Sequence, residues 1–515
     1  MADALPAAST VAVFGAGAMG AGIAQIATLA GHPVQLHDAR FGAADAAKKA
    51  MAETFAKRAA KGRMTPPAVE AALARVTTVG TLADACTAAL IVEAIVEDLA
   101  AKRELYQSLE NVVAADCIIA SNTSSLSITA LAAGMKHPER FVGMHFFNPA
   151  PVLPLVEIVS GLATSPEVAA TTFATAAAWG KLPVHAKSTP GFIVNRCARP
   201  FYAEALRLVA EQAADAATID AVMRDAGGFR MGPFELMDLI GLDVNFAVTR
   251  GVWEGYFHDP RYAPSVLQQE QVAAGRLGRK SGRGFFDYAP GATAPVPRVV
   301  DDAARPARIA VHGELGVAAP IADRIAAAGV AVLRARVDSR FPGGALRVQG
   351  EGGGAWLALT DGRTATARAA AAGVANVVLF DLAFDYATAT RLAVAAADTC
   401  DDGARAAAAG ALQAAGFAVS RFDDVAGLAV MRTVALLANE AAEAVLQGIG
   451  APDAIDLAMC KGVSYPRGPL AWADALGVAN VRDVVANLAV QYGDDHYRVS
   501  PLLARRALAA GRLHE

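Results

Sequence analysis

The stretch TVAVFGAGAMGAGIAQIATLAGHPVQLHD, residues 10–38, decides the fold. Val11 to Phe14 is a short apolar run, suited to a buried parallel strand. Gly15, Gly17 and Gly20 then form a G-x-G-x-x-G turn with Met19 inside it. Ile23, Ile26, Ala27 and Ala30 recur at helical spacing, and Gly31 is placed to end the helix. PVQLHD is a second strand with Asp38 at its end. Strand, glycine turn, helix and strand in this order make a dinucleotide-binding unit. Gly15 permits the tight turn, Gly17 lets backbone N–H groups approach a pyrophosphate, and Gly20 lets helix and strand pack closely. The helix N-terminus adds partial positive charge for the phosphates. Asp38 lies 18 residues past Gly20 (38 − 20), where an acid binds both ribose hydroxyls and repels a 2′-phosphate. NAD is therefore favoured over NADP, while FAD stays open because flavoproteins share the fingerprint.

Working outward, AALIVEAIVEDLAAKRELYQSLE (88–110) reads as a strand, a turn and a polar helix opened by Glu97 and Lys102. ADCIIASNTSSLSITALAAG (115–134) reads as a strand, a polar turn from Ser121 to Ser125, and a helix. RFVGMHFFNP (140–149) is the next strand. Ligands of open α/β sheets sit beyond the carboxyl ends of the strands, so the Asn122–Ser125 turn and His145 fall on the cofactor rim. An ordinary helix-capping cluster is the other reading of that turn. Within GMHFFNPAPVLPLVEIV (143–159), His145 precedes an Asn-Pro and Glu157 stands near the end of an apolar run. A histidine with one carboxylate is more often a core residue beside a surface glutamate. The shared rim is what shifts the balance towards a catalytic pair.

Bulk properties bound the rest. A chain of 515 residues has room for three or four domains. With 54% hydrophobic and 19% charged residues it is globular, and a net charge of −4 gives no nucleic-acid or anionic-membrane footprint. Five scattered cysteines form no CxxC or Cys/His cluster, so neither a disulfide framework nor a metal site is expected. MADALPAAST lacks the basic start and apolar run of an export signal, and no apolar run reaches the roughly 18 residues of a membrane span. A cytoplasmic location fits these features.

In order between residues 8 and 290 stand GAGAMGAGIAQ, VEAIVEDLAAK, SNTSSLSI, HFFNPAPVLPLVEIV, PGFIVNR, GPFELMDLIGLD and GRKSGRGFFDY. This series resembles the L-3-hydroxyacyl-CoA dehydrogenases. The resemblance implies that His145 takes the C3 hydroxyl proton while hydride passes to NAD, with Glu157 orienting the imidazole and stabilising its cation. It implies that Ser124 and Asn195 hydrogen-bond the substrate oxygens, that Asn148 supports the pair, and that Glu97, Lys102 and Asn122 line the cofactor. Lys57, Arg58, Lys61 and Arg63 would lie in a helical arm over the CoA moiety, or equally on a solvated helix face. Many relatives carry a basic residue where Pro154 stands, so any contact of that residue is in doubt here.

After a proline-rich linker, 289–306, the chain repeats itself. Shifted by 236, GFIVNR (191–196) falls on GLAVMR (427–432), Glu204 on Glu440, Asp220 on Asp456 and Asp238 on Asp474. Shifted by 298, VAVFGAGAMGAGIAQ falls on IAVHGELGVAAPIAD. The copy has Leu315 for Gly17, Ala318 for Gly20, Arg336 for Asp38 and Met431 for Asn195, so no second NAD site is expected. The expected fold is α/β plus all-α: a Rossmann domain with the catalytic pair (1–188), a helical domain (189–288), the linker, a degenerate Rossmann-like domain (307–425) and a second helical domain (426–515). The layout resembles two-half bacterial 3-hydroxybutyryl-CoA and 3-hydroxyadipyl-CoA dehydrogenases, and sequence does not decide between them. The helical domains are expected to pack as an internal pseudo-dimer, with a homo-oligomer left open. The rival readings are a catalytically idle, crystallin-like protein on this scaffold and a β-hydroxyacid dehydrogenase with a lysine base.

Overall fold

The computed structural model describes residues 3–349 and 354–515. They form two compact units, one running up to Arg196 together with Gln447–Val463, the other Cys197–Leu446 with Ser464–Glu515.

The first unit is built on an eight-stranded sheet. Its strands are β1 (Thr10–Phe14), β2 (Val34–His37), β3 (Val76–Thr78), β4 (Ala88–Glu93), β5 (Ile118–Ser121), β6 (Phe141–Phe146), β7 (Leu155–Ser160) and β8 (Leu182–Lys187), in the order β3-β2-β1-β4-β5-β6-β7-β8. All neighbours are parallel except β6 and β7, which run antiparallel with His145 opposite Glu157. The apolar runs of β1, β4 and β6 are buried on both faces, as parallel strands covered by helices must be. Ile23 and Ile26, from the helix Ala18–Leu29, pack on Val11, Val13, Leu36 and Leu90.

The helix Pro452–Gly462, from the far C-terminal part of the chain, belongs to this unit and lies on β7 and β8. Lys187 N–H donates to Ile449 O at 2.9 Å, and Arg196 Nη1 donates to Gln447 Oε1 at 2.8 Å. A side chain at Gly462 would collide with Leu155, 2.7 Å from its Cδ2. Sequence periodicity places this helix in the second helical domain and carries no sign that it covers the first sheet.

The second unit contains a seven-stranded sheet and helices from both halves of the sequence. Its strands are β9 (Arg308–His312), β10 (Ala331–Ala335), β11 (Ala345–Val348), β12 (Ala355–Leu359), β13 (Val377–Phe380), β14 (Arg391–Ala396) and β15 (Ala418–Arg421), in the order β10-β9-β11-β12-β13-β14-β15. β11 is antiparallel to both neighbours, an arrangement the first sheet lacks. The proline-rich segment is bound down along its course: Val300 N–H donates to Val419 O at 2.9 Å and Arg298 N–H to Thr218 Oγ1 at 2.9 Å.

The helix Val430–Leu446 is buried on nearly all its faces and packs on Arg199–Ala210. Their contacts come in reciprocal pairs. Glu204 receives Arg432 Nε at 2.6 Å, Tyr497 OH at 3.1 Å and His496 Nε2 at 2.6 Å. Its counterpart Glu440 receives Tyr262 OH at 2.7 Å and has Arg261 at 3.7 Å. Tyr262 and Tyr497 stand in similar local sequences, DPRY and DDHY. Burial would raise the Glu204 carboxyl, but the charges of Arg432 and His496 more than reverse this and hold it far below its ordinary value. Glu204→Gln should therefore cost about 1.5–3 kcal/mol in denaturant titrations near neutral pH, because it removes the fully buried partner of Arg432, which keeps Glu211 at 3.1 Å. A depressed carboxylate stabilises above its unfolded pKa, 4.5, and that stability is lost as pH falls towards the folded value. The variant should accordingly show a shallower loss of stability below pH 4.5 than the wild type.

Candidate active site

The glycine turn divides its work as the motif requires. Gly15, at φ +101°, has the Ala94 carbonyl so close that a Cβ would lie 2.4 Å from its oxygen. A Cβ on Gly20 would lie 1.7 Å from the Gly15 oxygen, and one on Gly17 would meet no protein atom within 4 Å. Open space over Gly17 at the start of the helix Ala18–Leu29 is a cradle suited to a dinucleotide pyrophosphate. Met19 is half-buried and packs against the sheet core. Asp38 accepts Ala16 N–H at 2.8 Å and pairs with Arg40, whose Nε lies at 3.0 Å. The Arg40 guanidinium holds the Asp38 carboxyl well below the usual carboxylate range. The sequence reading passed over Arg40.

Beyond β4 and β5 a buried hub shapes the polar turn. Glu93 is fully buried and accepts Lys102 Nζ at 2.5 Å, Ser121 Oγ at 2.7 Å, Ile95 N–H at 2.7 Å and the Tyr106 hydroxyl. Burial and the Glu93 charge push the Tyr106 phenol well above its ordinary value, so it stays a donor. Glu97 accepts Thr123 Oγ1 at 2.6 Å, Ser124 N–H at 3.0 Å and both Ser125 N–H and Oγ, and has Lys102 at 3.3 Å. Burial would raise its carboxyl, but the Thr123 hydrogen bond and the Lys102 charge hold it below its ordinary value. Glu97 thus moulds the turn, and it reaches the surface, whereas Lys102 is 1% exposed. Neither opens the helix Leu99–Glu110, which Asp98 caps through Ala101 N–H at 2.8 Å. Asn122 ties the turn to β6 by accepting Phe146 N–H at 2.9 Å.

His145 and Glu157 meet across β6 and β7. Nδ1 of the imidazole lies 2.7 Å from Glu157 Oε2, with His145 5% exposed and Glu157 fully buried. Glu157 Oε1 accepts Ile193 N–H and Val194 N–H, each at 3.0 Å. With every donor around it directed at the carboxylate, Nδ1–H is the donor to Oε2 and Nε2 is left as the basic nitrogen. Asn195 follows on the same helical turn, and its Nδ2 lies 3.5 Å from the Ser124 carbonyl oxygen, bringing those two residues together. Asn148, expected to support the pair, is exposed and bonds neither His145 nor Glu157, while Ile193 and Val194 N–H hold the Glu157 carboxylate.

The second half carries an altered copy of this junction. Asp381 follows β13, its N–H donates to Ala393 O on β14, and its carboxylate accepts Ala429 N–H at 2.9 Å and Val430 N–H at 2.7 Å. Ala429 and Val430 are the shifted counterparts of Ile193 and Val194. Strand register puts Asp381 in the place of His145 and Ala393 in that of Glu157, so the acid has changed strands and the histidine is gone. Register also confirms Arg336 as the residue after the strand. Two residues on, Asp338 and Arg340 repeat the Asp38–Arg40 pair, as DSRF repeats DARF. Among the described residues no acidic, histidine and cysteine cluster is arranged to hold a metal, and no helix is long and apolar enough to cross a membrane.

A dinucleotide cradle beside a buried histidine–carboxylate pair defines an NAD-dependent oxidoreductase. Residues 10–189 match the NAD-binding domain of 3-hydroxyacyl-CoA dehydrogenase, and 191–288 and 427–515 each match its C-terminal domain. Residues 357–425 match the reduced Rossmann-fold domain of 3-hydroxybutyryl-CoA dehydrogenase. The chain is 41% identical to the 3-hydroxyadipyl-CoA dehydrogenase of Escherichia coli K12 over 97% of both proteins. It is 40% identical to the human mitochondrial hydroxyacyl-coenzyme A dehydrogenase over 54% of this chain and 90% of that protein. A crystal structure of 3-hydroxybutyryl-CoA dehydrogenase from E. coli K12 superposes with a TM-score of 0.88 at 38% identity, covering 98% of this chain and 99% of that one. The chain belongs to the 3-hydroxyacyl-CoA dehydrogenase family, and its cofactor is NAD.

Asp38→Ser would leave the exposed Arg40 guanidinium without its carboxylate. The NADP⁺/NAD⁺ ratio of kcat/KM should then rise by about tenfold or more, the size of one charged hydrogen bond. Steady-state rates with the two cofactors measure it.

Proposed function

We propose that the chain oxidises the C3 hydroxyl of an L-3-hydroxyacyl-CoA to the ketone in its first half. The observation that carries this reading is the buried His145–Glu157 pair on the rim beside the glycine turn. NAD⁺, which the Gly15–Gly20 turn and Asp38 would hold, would supply the hydride acceptor. His145 Nε2 accepts the hydroxyl proton as the C3–H bond breaks, and Glu157 stabilises the imidazolium through Nδ1. Ser124 and Asn195 hold the substrate oxygens, and Glu97 fixes the turn that carries Ser124. Gly15, Gly17, Met19, Gly20, Asp38 and Asn122 form the cofactor side, with Lys102 acting through Glu97. The substrate is a short acyl-CoA, either 3-hydroxybutyryl-CoA or 3-hydroxyadipyl-CoA, and the reaction takes place in the cytoplasm. Breakdown of phenylacetate is the expected setting for the six-carbon substrate.

The division into five segments stands as part of the same proposal, with 307–425 serving as scaffold. The two helical segments form an internal pseudo-dimer. Its support is the exchange of equivalent contacts, Glu204 with Tyr497 and Glu440 with Tyr262, which is the signature of a two-fold interface. Covalent linkage gives such an interface a high effective concentration.

His145→Ala should slow the chemical step by roughly 10²–10⁴ at saturating substrate, with NAD⁺ affinity measured by fluorescence titration nearly unchanged. Near wild-type turnover would refute the mechanism. Glu157→Gln should also slow turnover, because an amide cannot stabilise an imidazolium. A chain ending near residue 300 loses Val430–Leu446 and the Pro452–Gly462 helix that covers β7. Light scattering should find it aggregated or dimeric; a monomeric, soluble and fully active product would overturn the pseudo-dimer.

A further inference from the structure

The Asp38 carboxylate, read above as the ligand of the adenosine ribose, already accepts four hydrogen bonds. Oδ2 accepts Ala16 N–H at 2.8 Å and Arg40 Nη2 at 3.1 Å, and Oδ1 accepts Arg40 N–H at 2.9 Å and Arg40 Nε at 3.0 Å. A carboxylate offers about four lone-pair positions, so these donors fill it. Two of them are backbone N–H groups fixed by the course of the chain. The other two belong to one guanidinium, on a side chain that is 73% exposed, whereas the Asp38 side chain is 9% exposed. A ribose diol also brings two O–H donors. It can bond both Asp38 oxygens only by taking the places that the guanidinium holds.

The second half supplies an internal control. Asp338 accepts Arg340 N–H at 3.0 Å, Nε at 2.9 Å and Nη2 at 2.6 Å, the same three bonds to the same oxygens. There buried Leu315 stands in place of Gly17. The Asp-x-Arg sequence therefore closes this clamp by itself, without a working pyrophosphate cradle beside it. Arg340 also lies 5.2 Å from the Trp356 ring and is 42% exposed. The more exposed Arg40 is the weaker lock of the two, as a displaceable group must be.

We propose that Arg40 sets cofactor discrimination as a displaceable internal ligand of Asp38. Its guanidinium competes with the ribose diol of NAD for the carboxylate and lowers NAD affinity. It acts in the opposite sense on NADP, because a 2′-phosphate is repelled by Asp38 and attracted by a guanidinium. Arg40 thus narrows the preference for NAD that Asp38 alone would impose. The inference rests on the assignment of Asp38 to the ribose in the reading above, and not on any particular acyl-CoA.

Calorimetric titration of the full chain with NAD⁺ and with NADP⁺, in the absence of substrate, tests it in the wild type, Arg40→Met and Asp38→Ala. The exposure of Arg40 keeps Arg40→Met from disturbing the core. Arg40→Met should bind NAD⁺ about two- to fivefold more tightly, the worth of an exposed ion pair. Its NADP⁺/NAD⁺ affinity ratio should fall by about tenfold or more, since a charge-assisted bond to the 2′-phosphate is lost as well. Removing a positive charge weakens the attraction for an anionic cofactor, so tighter NAD⁺ binding reports the freed carboxylate. Unchanged or weaker NAD⁺ binding in Arg40→Met, or a ratio that does not fall, overturns the proposal. Asp38→Ala tells the two failures apart. If it leaves NAD⁺ affinity unchanged, the ribose assignment falls and the proposal with it. If it weakens NAD⁺ binding while Arg40→Met changes nothing, only the role of Arg40 is refuted.

Discussion

The Glu157 carboxylate is the constraint on which the active half depends. One oxygen orients His145, and the other receives Ile193 and Val194 N–H at the start of the turn that carries Asn195. A buried carboxylate needs such donors, because an unpaired charge in the interior costs several kcal/mol. The same group that orients the imidazole therefore also pins the chain where it leaves the sheet. Asp381 makes the equivalent bonds to Ala429 and Val430 in the second half. That junction survives without its histidine because the exposed N–H groups of a helix start must be satisfied whether or not chemistry follows.

A second buried carboxylate, Glu93, organises the cofactor side. It draws Lys102, Tyr106 and Ser121 to the ends of β4 and β5, and the same Lys102 also pairs with Glu97. Glu97 then collects the N–H groups of Ser124 and Ser125. A turn held by this many charge-assisted bonds is preorganised.

The two halves have divided their labour. The first keeps open space over Gly17, whereas Leu315 occupies the matching position and is buried. The second half contributes a central helix, Val430–Leu446, buried up to its last turn, and the helix Pro452–Gly462 laid on β7 and β8. The latter covers the strand that holds Glu157, so the active sheet is completed by sequence about 300 residues away.

The sequence by itself determined the glycine turn, Asp38, the His145–Glu157 pair and the internal repeat. Each rests on local spacing: a turn that only glycine can make, strands that alternate with helices, and residues at fixed offsets within one motif. Only the tertiary structure revealed the Glu93 hub, the seat of Pro452–Gly462 on the first sheet and the exposed place of Asn148. It also placed Asp381 where His145 would be, because strand register, not sequence order, decides which side chains face one another. The physical reason is common to all of these. Buried charges choose partners by proximity after the chain has packed, and proximity between residues far apart in sequence leaves no local pattern to read.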